Sequence, residues 1–335
     1  MPDSSQTRTS VAIVRRPLVL ALTLTALLAA AAGAWALQVP GRTQTRNGPI
    51  TSIGLTHASV AFSVGKTKTD CDHVELWNTD TRGTWRFGRK RPCGDLPLFS
   101  GIGQIGVATD RVVWISYAGG NNTDWQLWTA TPTKSTPKQL AFVERDSMGA
   151  PAVVVGSGTQ QAVPYAVGAS VTWLGENGTA VFKWTAPSEV RAVTSGSGPY
   201  GWSVAALLAA GDVTVLDHSG VVAKSYAFAP GTVRWIGLAP GGLLVQVPGA
   251  KVEIHRGAAT RTVQLKPNAI VLDYAEGRIL YRVGQTFWLR NVATGADTQL
   301  LQGSRRQPIA AMLDTRGLAW IQGLSANWVC AVCIA

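Results

Sequence analysis

The chain has 335 residues, 46% hydrophobic and 15% charged, with a formal net charge of +11. That balance excludes a disordered polyelectrolyte and describes a globular chain able to bury most of its extended surface. The excess of Lys and Arg points to anionic partners rather than acidic-site chemistry.

Met1–Arg16 is polar, carries Arg8, Arg15 and Arg16, and reads as a cytoplasmic n-region. No charge occurs from Pro17 to Gly41, a run of 25 residues containing LVLALTLTALLAAAAGAWAL, and residues 17–40 are expected to form one hydrophobic helix. A basic flank before an apolar run holds the N-terminus in the cytoplasm and exports the downstream chain. Two fates stay open. Ala34-Trp35-Ala36 is a small-residue cleavage site for a signal peptide, whereas a run this long reaches the ~20 residues that span a bilayer as an anchor. In either case residues 41–335 are expected outside the cytoplasm, secreted or anchored to the cytoplasmic membrane. The first 36 residues contribute +2 (Arg8, Arg15 and Arg16 less Asp3), leaving +9 on the exported part.

Beyond Gly41 one phrase returns: a short strand, a tight turn, then a β-branched or aromatic strand ending at Gly. It reads IGLTHASVAFSVG from Ile53, IGVATDRVVWISYAG from Ile105, IGLAPGGLLVQVPG from Ile236, LDYAEGRILYRVG from Leu272 and MLDTRGLAWIQG from Met312. Repetition of this kind marks units that bury their apolar faces only by stacking on one another. Where the pattern is clearest, Val233–Leu238, Leu243–Val247, Val252–His255 and Arg261–Leu265 form one unit of four strands, and Ile270–Tyr274, Ile279–Val283, Thr286–Asn291 and Thr298–Leu301 form the next. Four strands in about 40 residues define a propeller blade. Second strands placed near Val60, Val112, Val171, Leu207, Leu243, Ile279 and Leu318 count seven blades, with six as the alternative because turn signals around Leu207 are poor. Insertions are expected at Lys66–His73, Gly119–Asp124 and Gly156–Val163. The last unit lacks a fourth strand, and Leu37–Asn47 is expected to supply it and close the ring. The expected fold is therefore an all-β, seven-bladed β-propeller behind one N-terminal hydrophobic helix.

The cysteines fit an oxidising compartment. Cys71 and Cys93 fall within one blade and are expected to pair, a closure contributing about 3 kcal/mol. Cys330 and Cys333 form a C-x-x-C on a strand-like segment, read as a local disulfide or two buried thiols rather than a redox pair. His57, His73, His218 and His255 are scattered, and neither a metal site nor a cofactor is expected.

The units resemble those of secreted bacterial TolB-type and WD-repeat-like propellers, most of all TFWLRNVATGADTQLL from Thr286, although no Trp-Asp ends a blade and no Gly-His opens one. LWNTDTRGTWRFG from Leu76 also resembles the repeats of pyrroloquinoline-quinone propellers, with Asp80, Gly83 and Trp85 matching and Arg82 in place of Thr. The departures imply a structural repeat without the quinone.

Of the 13 Trp residues, Trp77, Trp114, Trp128, Trp173, Trp184, Trp235, Trp288 and Trp320 sit in strand signals and are expected to pack between blades. Trp125 and Trp202 are the best placed to stack on a carbohydrate. Arg82, Arg86, Arg89, Lys90 and Arg91, with Trp85 among them and Lys66 and Lys68 upstream, make the densest basic run and the candidate anion-binding patch. Acids are dispersed, with Asp70, Asp72 and Asp80 the closest set, and no nucleophile elbow or calcium loop occurs. The expected function is that of an exported, non-enzymatic propeller binding an envelope protein or an anionic polymer or lipid surface, with membrane contact through the N-terminal helix if it is uncleaved, and with no nucleic-acid partner. The alternative is a glycan hydrolase or lyase with its site at the central channel, which requires acids or histidines facing that channel.

Overall fold

The computed structural model describes residues 41–88, 99–119, 122–146, 153–198, 200–304 and 309–330. The expected hydrophobic helix at 17–40 and Arg89, Lys90, Arg91, Cys93 and Cys333 lie outside the described residues. Among the described residues there is no helix, and the strands form seven four-stranded antiparallel sheets.

Each sheet is one blade of a seven-bladed β-propeller. Blade 1 runs Ile50–Thr56, Ser59–Val64, His73–Asn78 and Thr84–Gly88, and blade 2 runs Phe99–Val107, Val112–Gly119, Asn122–Thr131 and Lys134–Asp146. Blade 3 runs Val153–Val155, Ala162–Val167, Ser170–Gly175 and Ala180–Thr185, and blade 4 runs Val190–Gly198, Gly201–Leu208, Val213–Leu216 and Val222–Tyr226. Blade 5 runs Trp235–Ala239, Gly242–Val247, Lys251–Arg256 and Ala259–Gln264; blade 6 runs Ile270–Ala275, Arg278–Val283, Thr286–Asn291 and Asp297–Gln302. Blade 7 takes Ile309–Leu313, Gly317–Gln322 and Ser325–Cys330 from the end of the chain and its outer strand, Arg42–Thr45, from the beginning. The closing strand pairs antiparallel, Arg42 opposite Trp328 and Thr45 opposite Ser325, inside the segment expected to supply it.

Two assignments from sequence are corrected. The second strand of blade 3 is Ala162–Val167, so Val171 belongs to the third; Leu207 lies next to the end of the second strand of blade 4 instead of opening it. The second strand of blade 3 contains Pro164, a residue that argues against a strand flanked on both sides. Here the inner strand is only three residues long and covers Tyr165–Val167; Pro164 lies one step beyond it, where its carbonyl accepts Gly156 N at 3.0 Å and only the return bond of that pair is missing.

The hydrophobic core lies between blades. One cluster joins Leu76 and Phe87 of blade 1 to Ile105, Val107 and Trp114 of blade 2; another joins Ala319 and Ile321 of blade 7 to Ile53, Phe62 and Trp77 of blade 1. Trp77, Trp114 and Trp173 are buried and Trp85, Trp128, Trp184, Trp235 and Trp288 pack against such clusters, so these indoles are spacers between sheets. The glycine of the repeated Ile-Gly phrase has a specific cause. A Cβ on Gly54 would stand 2.8 Å from the carbonyl oxygen of Ile105, and one on Gly106 would stand 2.6 Å from that of Gly156, each on the side of the next blade. Near the axis the blades converge and only hydrogen fits.

Polar side chains then stitch the inner seams. Ser52 Oγ donates to Ile102 O at 3.1 Å, Gln104 Oε1 accepts Val155 N at 2.8 Å, Ser195 Oγ donates to Ser157 O at 2.8 Å, and Asp273 Oδ2 accepts Leu313 N at 3.0 Å. Gln246 does both across blades 5 and 6, donating to Ala269 O and accepting Val271 N. Such bonds satisfy backbone groups that the sheet ladders leave open.

The ring has two unlike faces. The hairpin face carries the turns between first and second and between third and fourth strands. The crossover face carries the remaining turns and the connections between blades. On the hairpin face Arg316 of blade 7 reaches Asp80 Oδ2 at 2.9 Å and His57 Nε2 at 3.0 Å in blade 1, sealing the last seam.

Candidate functional site

The inner strands of all seven blades enclose a central channel of about 570 Å³. Its wall is mostly Ile, Val, Ala, Gly and Ser, with Gln104, Arg234, Asp273 and Tyr274 as the larger polar members. Asp273 is the one carboxylate among these lining residues. Its Oδ1 accepts Tyr274 N at 2.9 Å while Oδ2 holds Leu313 N, so both oxygens are committed to backbone. Burial nevertheless pushes its carboxyl up to about 7, against those two hydrogen bonds and with help from Asp314. Asp314, in the blade 7 hairpin, is raised to about 6, again chiefly by burial, and its Oδ2 is buried without a partner. Among the described residues no group of three His, Cys, Asp or Glu side chains is placed to hold a metal ion.

The basic run of blade 1 divides. Arg82 sits exposed in the hairpin before the outer strand, at φ 65°, while Gly88 ends that strand on the crossover face. Five strand residues, roughly 17 Å, therefore separate Arg82 from the end of the strand at Gly88, and Arg89, Lys90 and Arg91 lie outside the described residues. Alternation along the strand turns Trp85 and Phe87 toward blade 2 and sends Arg86 to the opposite side. There Arg86 grips Asp70 through two hydrogen bonds of 2.6 Å each, which hold the Asp70 carboxyl below its ordinary range and raise the guanidinium.

Beside that pair lies a centre that no sequence motif announces. Arg46, in the connection after the closing strand, donates from Nε to both oxygens of Glu75 at 2.8 and 2.7 Å, with a further bond from Nη2. His73 Nε2 contacts Glu75 Oε1 at 3.2 Å, and His73 Nδ1 bonds Cys71 O at 2.8 Å. These residues, with Asp70 and Arg86, line a cavity of about 240 Å³. Burial alone would raise the Glu75 carboxyl; the bonds from His73 and Arg46 override it and hold it below its ordinary value. A depressed carboxylate adds stability above its unfolded pKa, and that stability is lost as pH falls through the acid range. Glu75→Gln should therefore lower stability by about 2–4 kcal/mol at pH 7, because Arg46 is left without its counter-charge. It should also remove part of the acid slope below pH 4.5. Thermal melts of both proteins between pH 3.5 and 7 would measure the difference; parallel curves would contradict this role.

Cys71 and Cys330 are each disulfide-bonded, and no described cysteine is free.

No protein-family model matches the chain, and no curated protein matches it. Among solved structures it is similar to the crystal structure of Raptor from Chaetomium thermophilum, at 12% identity and a TM-score of 0.52. The likeness covers 86% of this chain and 28% of that one, and at this identity it speaks for the fold alone.

Proposed function

We propose that the chain is an exported, TolB-like propeller that binds an envelope protein or anionic envelope polymer and carries out no reaction. The observation that supports this best is the channel wall. It is built mostly of small and aliphatic side chains, and the one carboxylate among its described lining residues is committed to two backbone N–H groups. Acid–base work on a glycosidic bond needs two carboxyls free to meet the substrate about 5–10 Å apart. The alternative, a glycan hydrolase or lyase at the channel, draws on the raised carboxyls of Asp273 and Asp314. Against it, Asp273 holds a seam together and the free oxygen of Asp314 is buried.

The charge of +9 outside the first 36 residues, with Lys66, Lys68, Arg89, Lys90 and Arg91 grouped in sequence, supplies the attraction. Arg86 is excluded from the test because its charge is matched by Asp70. Changing Arg89, Lys90 and Arg91 to Ser should weaken binding to heparin or anionic vesicles several-fold and flatten its salt dependence. The melting temperature should move little. Equal changes at Lys134, Lys138 and Arg256 serve as the control; equal losses from both sets would reduce the effect to net charge. The pairing of Cys71 with Cys93 belongs to the same proposal, since it tethers this segment. Peptide mapping of the unreduced protein should recover the two as one linked peptide, and recovery of Cys71 with any other cysteine would reject it.

A further inference from the structure

The hairpin face carries a second concavity, between blades 3 and 4, of about 330 Å³. Two aromatic side chains stand at its edge from the hairpin joining the inner and second strands of blade 4. Tyr200 is 44% exposed and Trp202 43%, and Val181, 50% exposed, adds an apolar side from blade 3. That hairpin turns through Gly201 at φ 79°, with Ser197 opposite Trp202 on the preceding strand. Gln161 and His218, both exposed, complete the rim.

The floor is Trp173, 3% exposed and tilted against Phe182 at 5.7 Å between ring centres. Its Nε1 donates to no partner. Among the described residues Trp77, Trp125 and Trp328 also have unpartnered buried indole nitrogens, but Trp173 is the one of the four that lines this open groove. A buried donor without an acceptor costs about 1–3 kcal/mol, so a groove whose lining includes such a residue favours a ligand that brings an oxygen to it.

Among the described residues no Asp, Glu, Lys or Arg lines the groove, which fits an uncharged ligand. The aromatic faces require a flat apolar surface. The floor requires an acceptor, and the rim amide and imidazole offer both donors and acceptors. A pyranose ring meets all three demands, with C–H bonds on its faces and hydroxyls around its edge. An extended proline-rich peptide offers carbonyl acceptors but no donors for the rim.

We infer that the groove between blades 3 and 4 binds an uncharged saccharide, stacked on Trp202 and Tyr200 with a hydroxyl oxygen accepting from Trp173 Nε1. The inference goes beyond the binding reading above, which names a protein or an anionic polymer, and rests on it only in that the protein is taken to bind an envelope component.

The test is tryptophan fluorescence of the full chain, held in a sugar-free zwitterionic detergent, titrated with chitohexaose, cellohexaose and maltohexaose. At least one should shift the emission saturably. Tyr200→Ala with Trp202→Ala should weaken that binding about tenfold or more, with the melting temperature held because both side chains are exposed. Trp173→Phe, which keeps an aromatic floor and removes the donor, should weaken it about fivefold. Absence of binding by all three sugars, binding indifferent to the double substitution, or equal binding of decaproline through the same residues would each overturn the inference. Heparin binding that survives the double substitution but not the basic-segment changes would then leave the wider reading standing. Release of reducing ends from a bound hexasaccharide would instead overturn the non-catalytic reading and keep the groove.

Discussion

A chain lacking Arg42–Thr45 is expected to melt about 10 °C lower than the intact protein and to self-associate. The deleted strand supplies the outer edge of blade 7, pairing through four residues with Ser325–Trp328. Thr43 Oγ1 adds a bond to Asn327 Oδ1 at 2.9 Å, and the Arg42 guanidinium lies 5.9 Å from the Trp328 ring centre. About four hydrogen bonds at ~1 kcal/mol each are lost, and each kcal/mol moves the melting temperature of a chain this size by about 2–4 °C. The deletion also bares the Ser325–Cys330 strand, whose open backbone groups invite pairing with another molecule. Calorimetry and light scattering would follow both effects. A variant that melts within about 2 °C of the parent and stays monomeric would mean that the ring closes without this strand.

The second large effect is a stability that rises as the solution is acidified from pH 7 toward pH 4. The Asp273 carboxyl sits at about 7 in the folded ring, against 3.8 as its ordinary value. A carboxyl raised on folding binds its proton more tightly in the native state. The native ring therefore gains stability as pH falls from the folded pKa to the unfolded one, and loses it again on the way up. The gain should be about 2–4 kcal/mol, with Asp314 at about 6 reinforcing the lower half of the window. Below pH 4 the loss of Glu75 and Asp70 turns the profile downward. Asp273→Asn should flatten the rise between pH 5 and 7 and cost stability at low pH. One amide oxygen cannot replace two carboxyl oxygens accepting from Tyr274 and Leu313. Denaturant titrations at pH 4.5, 5.5, 6.5 and 7.5 would measure it; a flat profile in the parent protein would show that channel water keeps Asp273 ionised at little cost.

The ring is legible in the sequence because its physics is local. Ile-Gly before a turn and a β-branched run after it recur where the chain passes the axis, and Gly54 and Gly106 are glycine for the same steric reason. The closing strand can be placed because blade 7 runs out of chain. Blades 3 and 4 are harder, since Pro164 stands in Ala162–Val167 at the end of a three-residue neighbour, where its carbonyl still accepts Gly156 N and a single ladder bond is lost, and nothing in the sequence announces that. The candidate sites are less legible for a related reason. A run of basic residues reads as one patch, yet a strand carries Arg82 to one face while Asp70, 16 residues away, matches the charge of Arg86. The Arg46–Glu75 centre joins residues 29 apart from different blades, and the unpartnered indole of Trp173 gains meaning only once Trp202 is seen beside it. Trp202 itself stands out in the sequence as an aromatic beside a turn, and the structure places it at the start of a strand, 43% exposed.

The same closing strand fixes an order of events during biosynthesis. Thr43 is made among the first residues of the ring and must wait for Asn327, 284 positions later, before it can be paired. Six blades are sequence-local and can fold in turn as the chain emerges, but the seventh contains both the earliest and the latest strand. Such long-range closure is slow, because the intervening chain must be ordered before the contact repays its entropy. The nascent molecule therefore spends its whole emergence time as an open arc with two unpaired ends, and a helper that shields strand edges would act on that arc and not on the finished ring.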